Sequence, residues 1–270
     1  DDPDRLLPVL AADHLIRDPA GFHATVSAAL PAARDGRIVI FGIPPTRPEP
    51  GYGYIRPGAP LDDGPLSAVA GFVEKPDVAT AERLIVEGAL WNSGNLLVRA
   101  GTLREALALH APETAKRAAD AVDRATRDDD TIHLAEVTGA SNEPPSFDHA
   151  VLEKTDRAAV IRAGFDWTDI GSWDAVWLAS QRDEAGNAIS GPATHYDSGG
   201  NLVMSDGPAI GVLGMAETVV VAANNAVLVA PRARADEIRE LAERMSLADS
   251  ESVTGPPRNY RPWGYFQTLD

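Results

Sequence analysis

Short apolar runs alternate with amphipathic stretches along the first two-thirds of the chain. Residues 6–11 begin as an unbroken apolar run, and Asp18-Pro19 behind them has the form of an N-cap followed by a first helical residue. A strand feeding a helix to about Ala33 is therefore predicted. Gly36 closes that connection, residues 37–41 read as a second buried strand, and residues 42–50 as turn-rich. The rhythm continues with a strand over 68–73, a helix over 78–87, a strand over 95–99 and one or two helices over 102–127, and it persists to Trp177. Strands apolar on both faces, alternating with helices, point to an α/β architecture with a parallel sheet covered on both sides.

After Gln181 the texture changes. Residues 186–229 hold short β-rich runs, notably 209–213, 218–222 and 226–229, separated by Gly, Asn and Asp. A polar amphipathic helix is predicted over about 234–245, followed by a Ser-, Pro- and Gly-rich linker over 248–259. The closing stretch around Tyr260, Trp263 and Tyr265 is too apolar for a frayed tail. No repeat of fixed period is evident. The resulting division is an α/β domain over 1–181, a small β-rich domain over 182–232, a helix over 233–247 and a closing segment over 248–270.

Composition narrows the classes of function. The 270 residues are 44% hydrophobic and 24% charged, which is globular, and the formal charge of −16 disfavours non-specific binding to nucleic acid or anionic lipid. No run approaches the length of a membrane span and no basic-then-apolar leader opens the sequence, so a cytoplasmic protein without membrane contacts is expected. With no cysteine and six scattered His, any metal is expected on oxygen ligands.

Candidate chemistry sits at strand ends. Asp13-His14 follows the first strand, at the kind of edge where open α/β sheets bind ligands, although Asp13 could equally serve backbone donors in its turn. Asp169, in Asp166-Trp167-Thr168-Asp169-Ile170-Gly171-Ser172-Trp173, lies in a second strand-to-helix turn and could equally be a helix N-cap. Two carboxylates converging there would suit Mg²⁺ and phosphate oxygens. In Phe72-Val73-Glu74-Lys75-Pro76, Lys75 could grip a phosphate and Glu74 could accept from sugar hydroxyls, or the two could be a plain surface pair. Trp91-Asn92-Ser93-Gly94 suits a carbohydrate or a turn, and Gly51-Tyr52-Gly53-Tyr54-Ile55 a close ligand approach or a hairpin. Residues 147–154, Phe-Asp-His-Ala-Val-Leu-Glu-Lys, fit a helix start with Asp148 near the cap and Glu153 and Lys154 on the surface. No Gly-x-Ser-x-Gly elbow or calcium loop is present.

Singly these motifs are weak; in series they resemble the bacterial mannose-1-phosphate guanylyltransferases, including those fused to a phosphomannose isomerase. The resemblance covers essentially the whole chain and implies a Rossmann-like nucleotidyltransferase sheet with a small β-helix-like domain. It implies Asp13 and Asp169 as Mg²⁺ ligands, Lys75 on the sugar phosphate, Glu74, Asn92 and Gly53 facing the mannose, and Lys154 assisting with phosphate. The substrates it implies are mannose 1-phosphate and GTP, giving GDP-mannose and pyrophosphate. Arg261-Pro262-Trp263-Gly264 resembles the start of a cupin domain. The family's Gly-rich, Arg-bearing nucleotide loop and its Lys-bearing segment are not found in these residues, so the sugar-binding portion of a longer enzyme is expected, lacking part of the sheet at its N-terminus. Remaining alternatives are a nucleotidyltransferase for another sugar 1-phosphate and a non-catalytic sugar-phosphate-binding module, with a homodimer through the β-rich domain possible in either case.

Overall fold

The structure, a computed structural model, describes residues 2–61, 64–128, 131–135, 146–223, 226–248, 259–261 and 264–266. Two compact units result, Asp1–Trp167 and Thr168–Asp270.

In the first unit, in chain order, lie β1 (Leu6–Val9), α1 (Pro19–Arg34), β2 (Ile38–Ile43), β3 (Gly53–Pro60), β4 (Leu66–Glu74), α2 (Val78–Val86) and β5 (Leu90–Arg99). They are followed by α3 (Ala100–His110), α4 (Pro112–Asp123), the short pair β6 (Thr126–Asp128) and β7 (Thr131–His133), a π-helical turn Asp148–Leu152, and β8 (Ala158–Arg162). The expected cap operates, Asp18 accepting from the Gly21 N–H at 2.9 Å with Pro19 at the first helical position; Pro112, at the start of α4, separates it from α3. Six strands form one sheet in the order β1-β5-β2-β8-β4-β3.

Side chains of β2 alternate strictly between two cores. Val39, Phe41 and Ile43 pack with Ala29 and Ala33 of α1 and Ala81 and Leu84 of α2. Ile38 and Ile40 face the other way, onto Ala106 of α3 and Ala150, Val151 and Leu152 of the π-turn. The sheet is thus covered on both faces, as its continuous apolar strands foretold. The expected parallel pairing is corrected: β2 and β8 run parallel, whereas β1–β5, β2–β5, β4–β8, β3–β4 and β3–β5 are antiparallel. A continuous apolar run reports burial on two faces, and an antiparallel strand enclosed by helices has the same signature.

Trp91-Asn92-Ser93-Gly94 is a second correction to the strand bounds. It lies inside β5, which begins at Leu90 where the sequence put a strand only from Asn95. The strand tolerates this polar insertion because its register against β2 shifts between Ile40 and Gly42, with Gly94 at a positive φ of 68°.

The second unit opens with α5 (Trp173–Ala179), then β9 (Ala188–Ser190), β10 (Ala193–Tyr196), β11 (Leu202–Ser205), β12 (Ile210–Leu213), β13 (Thr218–Ala223) and β14 (Ala226–Pro231). A 3₁₀ segment Arg232–Glu237 leads into α6 (Ile238–Ala248), where a single helix had been expected, and β15 (Asn259–Arg261) pairs with β16 (Gly264–Phe266). Most of the predicted linker, and Pro262 and Trp263 of the cupin-like segment, lie outside the described residues.

Strands β9, β11 and β13 stack in parallel, as do β10 and β12. This is a coiled β stack with a repeat that the sequence reading missed. Ala188, Leu202 and Val219 occupy one interior row, each preceded by a polar residue, Asn187, Asn201 and Thr218, and that by a residue at positive φ, Gly186, Gly200 and Glu217. Gly186-Asn187 and Gly200-Asn201, fourteen residues apart as the Asn187–Asn201 bond spans, carried the signal. Trp173, Val176 and Trp177 pack on this row, so α5 lies with the β stack in the second compact unit.

Candidate functional site

Strands β3, β4 and β5 bring together three of the predicted residues. Gly53 pairs with Glu74 across β3–β4, and a Cβ at Gly53 would meet Glu74 Oε2 at 2.7 Å and Asn92 Cβ at 3.5 Å. A side chain there would fill the space between a carboxylate and an amide. Gly53, Glu74 and Asn92 thus form one polar cradle, floored by backbone and suited to the hydroxyls of a small polar ligand.

Aromatic rings wall the same region. Tyr52 packs edge-on against Trp91 at 5.1 Å and Trp167 at 5.4 Å, and the Arg47 guanidinium lies over the Trp91 ring at 5.7 Å. Arg47 in turn pairs with Glu49 at 3.0 Å, and the Glu49 N–H donates to the fully buried Tyr54 hydroxyl at 2.9 Å. The segment ahead of Gly53 is thereby held to the core.

Lys75 follows at the end of β4, its Nζ 3.7 Å from Glu74 Oε1 and its side chain mostly exposed. Its φ of 43° is left-handed, a conformation a non-glycine residue adopts at a cost of about 1–2 kcal/mol. Asp77 fixes the following helix, accepting from the Thr80 N–H at 2.7 Å. That bond, then the Thr80 hydroxyl, holds the Asp77 carboxyl below its ordinary 3.8, with Arg83 adding a smaller push. A depressed carboxyl stabilises the fold above its unfolded value, and the contribution is lost as pH falls through the folded value. Asp77→Ala is expected to lower the melting temperature near neutral pH, with the gap from the parent closing below pH 3.8; thermal melts across pH check this.

The loop after β1 is anchored from two sides. Asn95 Oδ1 accepts from the Ala11 N–H at 2.9 Å, and Asp166 Oδ1 accepts from Arg17 and Asp18 N–H at 2.9 and 3.0 Å. Trp167 Nε1 donates to His14 Nδ1 at 3.1 Å. Backbone service in this loop is thus done by Asp166, while the Asp13 carboxylate is 88% exposed, 4.0 Å from His14 Nε2. Neither Asn95 nor Asp166 was singled out from sequence, because their partners lie 84 and 149 residues away.

Asp169 belongs to the second unit. It is not the N-cap of α5: Ser172 is, accepting from the Ala175 N–H at 3.2 Å. Asp169 Oδ1 accepts from the Gly171 N–H at 3.1 Å, where a Cβ would come within 2.9 Å of its own Oδ2, and Ile170 between them is held at φ 48°. A β-branched residue in the left-handed region is rare and strained, as is common where a turn serves a ligand.

Asp13 and Asp169 are oxygen donors of the kind that Mg²⁺ takes from one or two carboxylates alongside water and phosphate. Among the described residues no group of three or more His, Cys, Asp or Glu makes a closed metal cage. Lys154 lies on the surface after the π-turn, where its N–H donates to Val151 O at 3.0 Å. The turn begins where a helix start was expected, with Asp148 next to the Phe147 N-cap, but it is π-helical, and the Asp148 side chain makes no cap bond and accepts instead from Asn92 Nδ2 at 2.9 Å.

A family model described as nucleotidyl transferase matches residues 1–186. The chain belongs to the nucleotidyl transferase family. Residues 192–245 match a second model, a MannoseP isomerase/GMP-like beta-helix domain, in agreement with the stacked strands β10–β14. The chain is 40% identical to the xanthan biosynthesis protein XanB of Xanthomonas campestris pv. campestris, over 99% of this chain and 56% of that protein. It is 36% identical to the alginate biosynthesis protein AlgA of Pseudomonas aeruginosa, over 99% of this chain and 56% of AlgA. A mannose-1-phosphate guanylyltransferase of Klebsiella pneumoniae is 37% identical, over 98% of this chain and 56% of its own length. The chain thus spans about half the length of the curated relatives it matches. A solved structure from Thermus thermophilus, described as a mannose-1-phosphate geranyltransferase, superposes with a TM-score of 0.73 at 32% identity, covering 89% of this chain and 70% of that one. The nucleotidyltransferase α/β fold with a C-terminal β-rich part stands on these matches. No helix among the described residues is long and apolar enough to cross a membrane.

Proposed function

We propose that the protein containing this chain is a cytoplasmic mannose-1-phosphate guanylyltransferase. The observation that carries the reading is the cradle of Gly53, Glu74 and Asn92, with Lys75 next to it, in a chain 37% identical to a guanylyltransferase acting on that sugar phosphate.

In this reading a phosphate oxygen of mannose 1-phosphate forms a bond to the α-phosphorus of GTP while the bond from that phosphorus to the bridging oxygen breaks, releasing pyrophosphate. No general base is needed, because the attacking phosphate is already anionic. Glu74 and Asn92 orient the sugar through its hydroxyls, and Lys75 holds its phosphate as a point charge, with Lys154 assisting. Asp13 and Asp169 would hold Mg²⁺, which when bound supplies charge that offsets negative charge on the phosphates. Catalysis is then positioning and electrostatic stabilisation, without a covalent protein intermediate. The names of XanB and AlgA connect such a product with polysaccharide synthesis. Val227 and Val229, exposed on β14, offer the β-rich unit an apolar surface for a homodimer.

Asp13→Asn and Asp169→Asn are each expected to lower kcat about 100-fold or more and to raise the Mg²⁺ concentration needed for half-activity. Steady-state assays of the intact protein check this. Full activity in either variant would remove that carboxylate from the mechanism.

A further inference from the structure

The amide of Asn92 is held by two partners of opposite character. Its Nδ2 donates to Asp148 Oδ1 at 2.9 Å, and its Oδ1 accepts from the Gly94 N–H at 3.1 Å. An ionised carboxylate only accepts and a backbone amide only donates, so the two admit a single orientation of the side chain. Turned over, oxygen would face oxygen and N–H would face N–H.

We propose that Asp148 is a positioning residue that fixes the Asn92 amide in the orientation that reads a sugar hydroxyl. The proposal rests on the reading of the site given above and adds a residue to it. After both bonds are made, Asn92 keeps one N–H and one lone pair. A hexose hydroxyl can accept from the first and donate to the second. The amide stands beside the Gly53–Glu74 cradle, where Asn92 Cβ is 3.5 Å from the position a Gly53 side chain would take.

The turn that carries Asp148 is packed into the core. Ala150, Val151 and Leu152 of its turn are buried, and the turn is closed by the Glu153 N–H to Asp148 O at 2.9 Å and the Ala150 N–H to Ser146 O at 2.9 Å. The π geometry packs one more residue into the turn than an α-helix does, a feature frequent at functional sites. Asn92 and Asp148 also line a cavity of about 300 Å³ whose other walls are largely apolar, including Val9, Ile40, Leu96 and Leu107. A charge-assisted bond at such a wall is stronger than one in open water.

The test compares Asp148→Asn, which keeps the shape but puts a group that can donate as well as accept where an obligate acceptor stood, leaving the Gly94 N–H alone to select the orientation, with Asn92→Ala and the double variant in the intact protein. Asp148→Asn is expected to raise KM for mannose 1-phosphate about tenfold while KM for GTP and the melting temperature stay unchanged. Asp148→Glu, which keeps the charge, should recover part of the loss. The double variant should be no worse than Asn92→Ala alone, since Asp148 acts through that amide. A raised KM in Asn92→Ala with a parental KM in Asp148→Asn overturns the proposal and leaves the site standing. Equal rises in both KM values with a lowered melting temperature overturn it too, as a merely structural role. A parental KM in Asn92→Ala removes the site reading itself, and the proposal with it.

Discussion

Lys75→Ala in the intact protein is expected to lower kcat/KM for mannose 1-phosphate by about 100- to 1,000-fold, because a phosphate loses its cationic partner in the complex and in the transition state. Lys75→Gly should lose as much activity yet melt at a higher temperature than Lys75→Ala. The backbone there has φ 43°, which glycine adopts freely and alanine does not, a difference of about 1 kcal/mol in stability. The two variants separate the charge from the strain. Equal melting temperatures would mean that the left-handed turn stores no strain, and parental activity in either would take Lys75 out of the site. Glu74, 3.7 Å from the ammonium, is expected to matter through the sugar instead, so its loss should fall on KM for the sugar phosphate.

The second large effect is on stability. Asn201 is fully buried in the β stack, where Nδ2 donates to Asn187 Oδ1 and Met215 O, both at 2.9 Å, and Oδ1 accepts from the Thr218 N–H at 2.9 Å. Asn187 continues the ladder to Ser198 O at 3.0 Å. Asn201→Ala leaves the Thr218 N–H without its acceptor, while Asn187 Oδ1 keeps the Asn201 N–H and Met215 O keeps the Gly199 N–H, each at 3.1 Å; the unmet donor together with the space left in the interior sets an expected loss of about 2–4 kcal/mol. Asn201→Asp should be as damaging, because a carboxylate cannot donate to Asn187 or Met215. Denaturant unfolding followed by tryptophan fluorescence suits the measurement, with Trp177 bonded through Nε1 to Gly186 O in the same unit. A change below about 1 kcal/mol would show that water replaces the ladder.

Residues that act through neighbours in sequence were legible from the chain alone. Asp18-Pro19 announced α1, Glu74-Lys75-Pro76 announced the end of a strand, and the order of six motifs announced the family. What the sequence concealed are relations between distant segments. The direction of strand pairing is set by which strands meet, and β2, apolar at every position, reads alike in either case. Asp148 was placed correctly near a helix start, but its side-chain partner, Asn92, is 56 residues away and left no local trace. The β-helix-like character of the second unit came from the family resemblance and not from a visible repeat, because its turns are unequal: Leu202 stands opposite Ala188 and Val219, fourteen and seventeen residues off, as the side-chain bonds of Asn201 to Asn187 and from Thr218 span. The third turn also replaces Gly-Asn by Glu217-Thr218, with Glu217 held left-handed. Arg232 binds Glu217 there and also Gly200 O at 2.7 Å and Asp174 at 2.8 Å, while lying 3.4 Å over the Trp177 ring, a set of contacts that no local pattern reveals.

The central claim, that this site binds mannose 1-phosphate for guanylyl transfer, is tested most directly by pyrophosphate release from GTP in the intact protein with Mg²⁺, offered mannose 1-phosphate, glucose 1-phosphate or no sugar. The account predicts release with mannose 1-phosphate well above both other conditions, and its loss in Lys75→Ala. Release that is equal with glucose 1-phosphate, or that persists without Lys75, would contradict it.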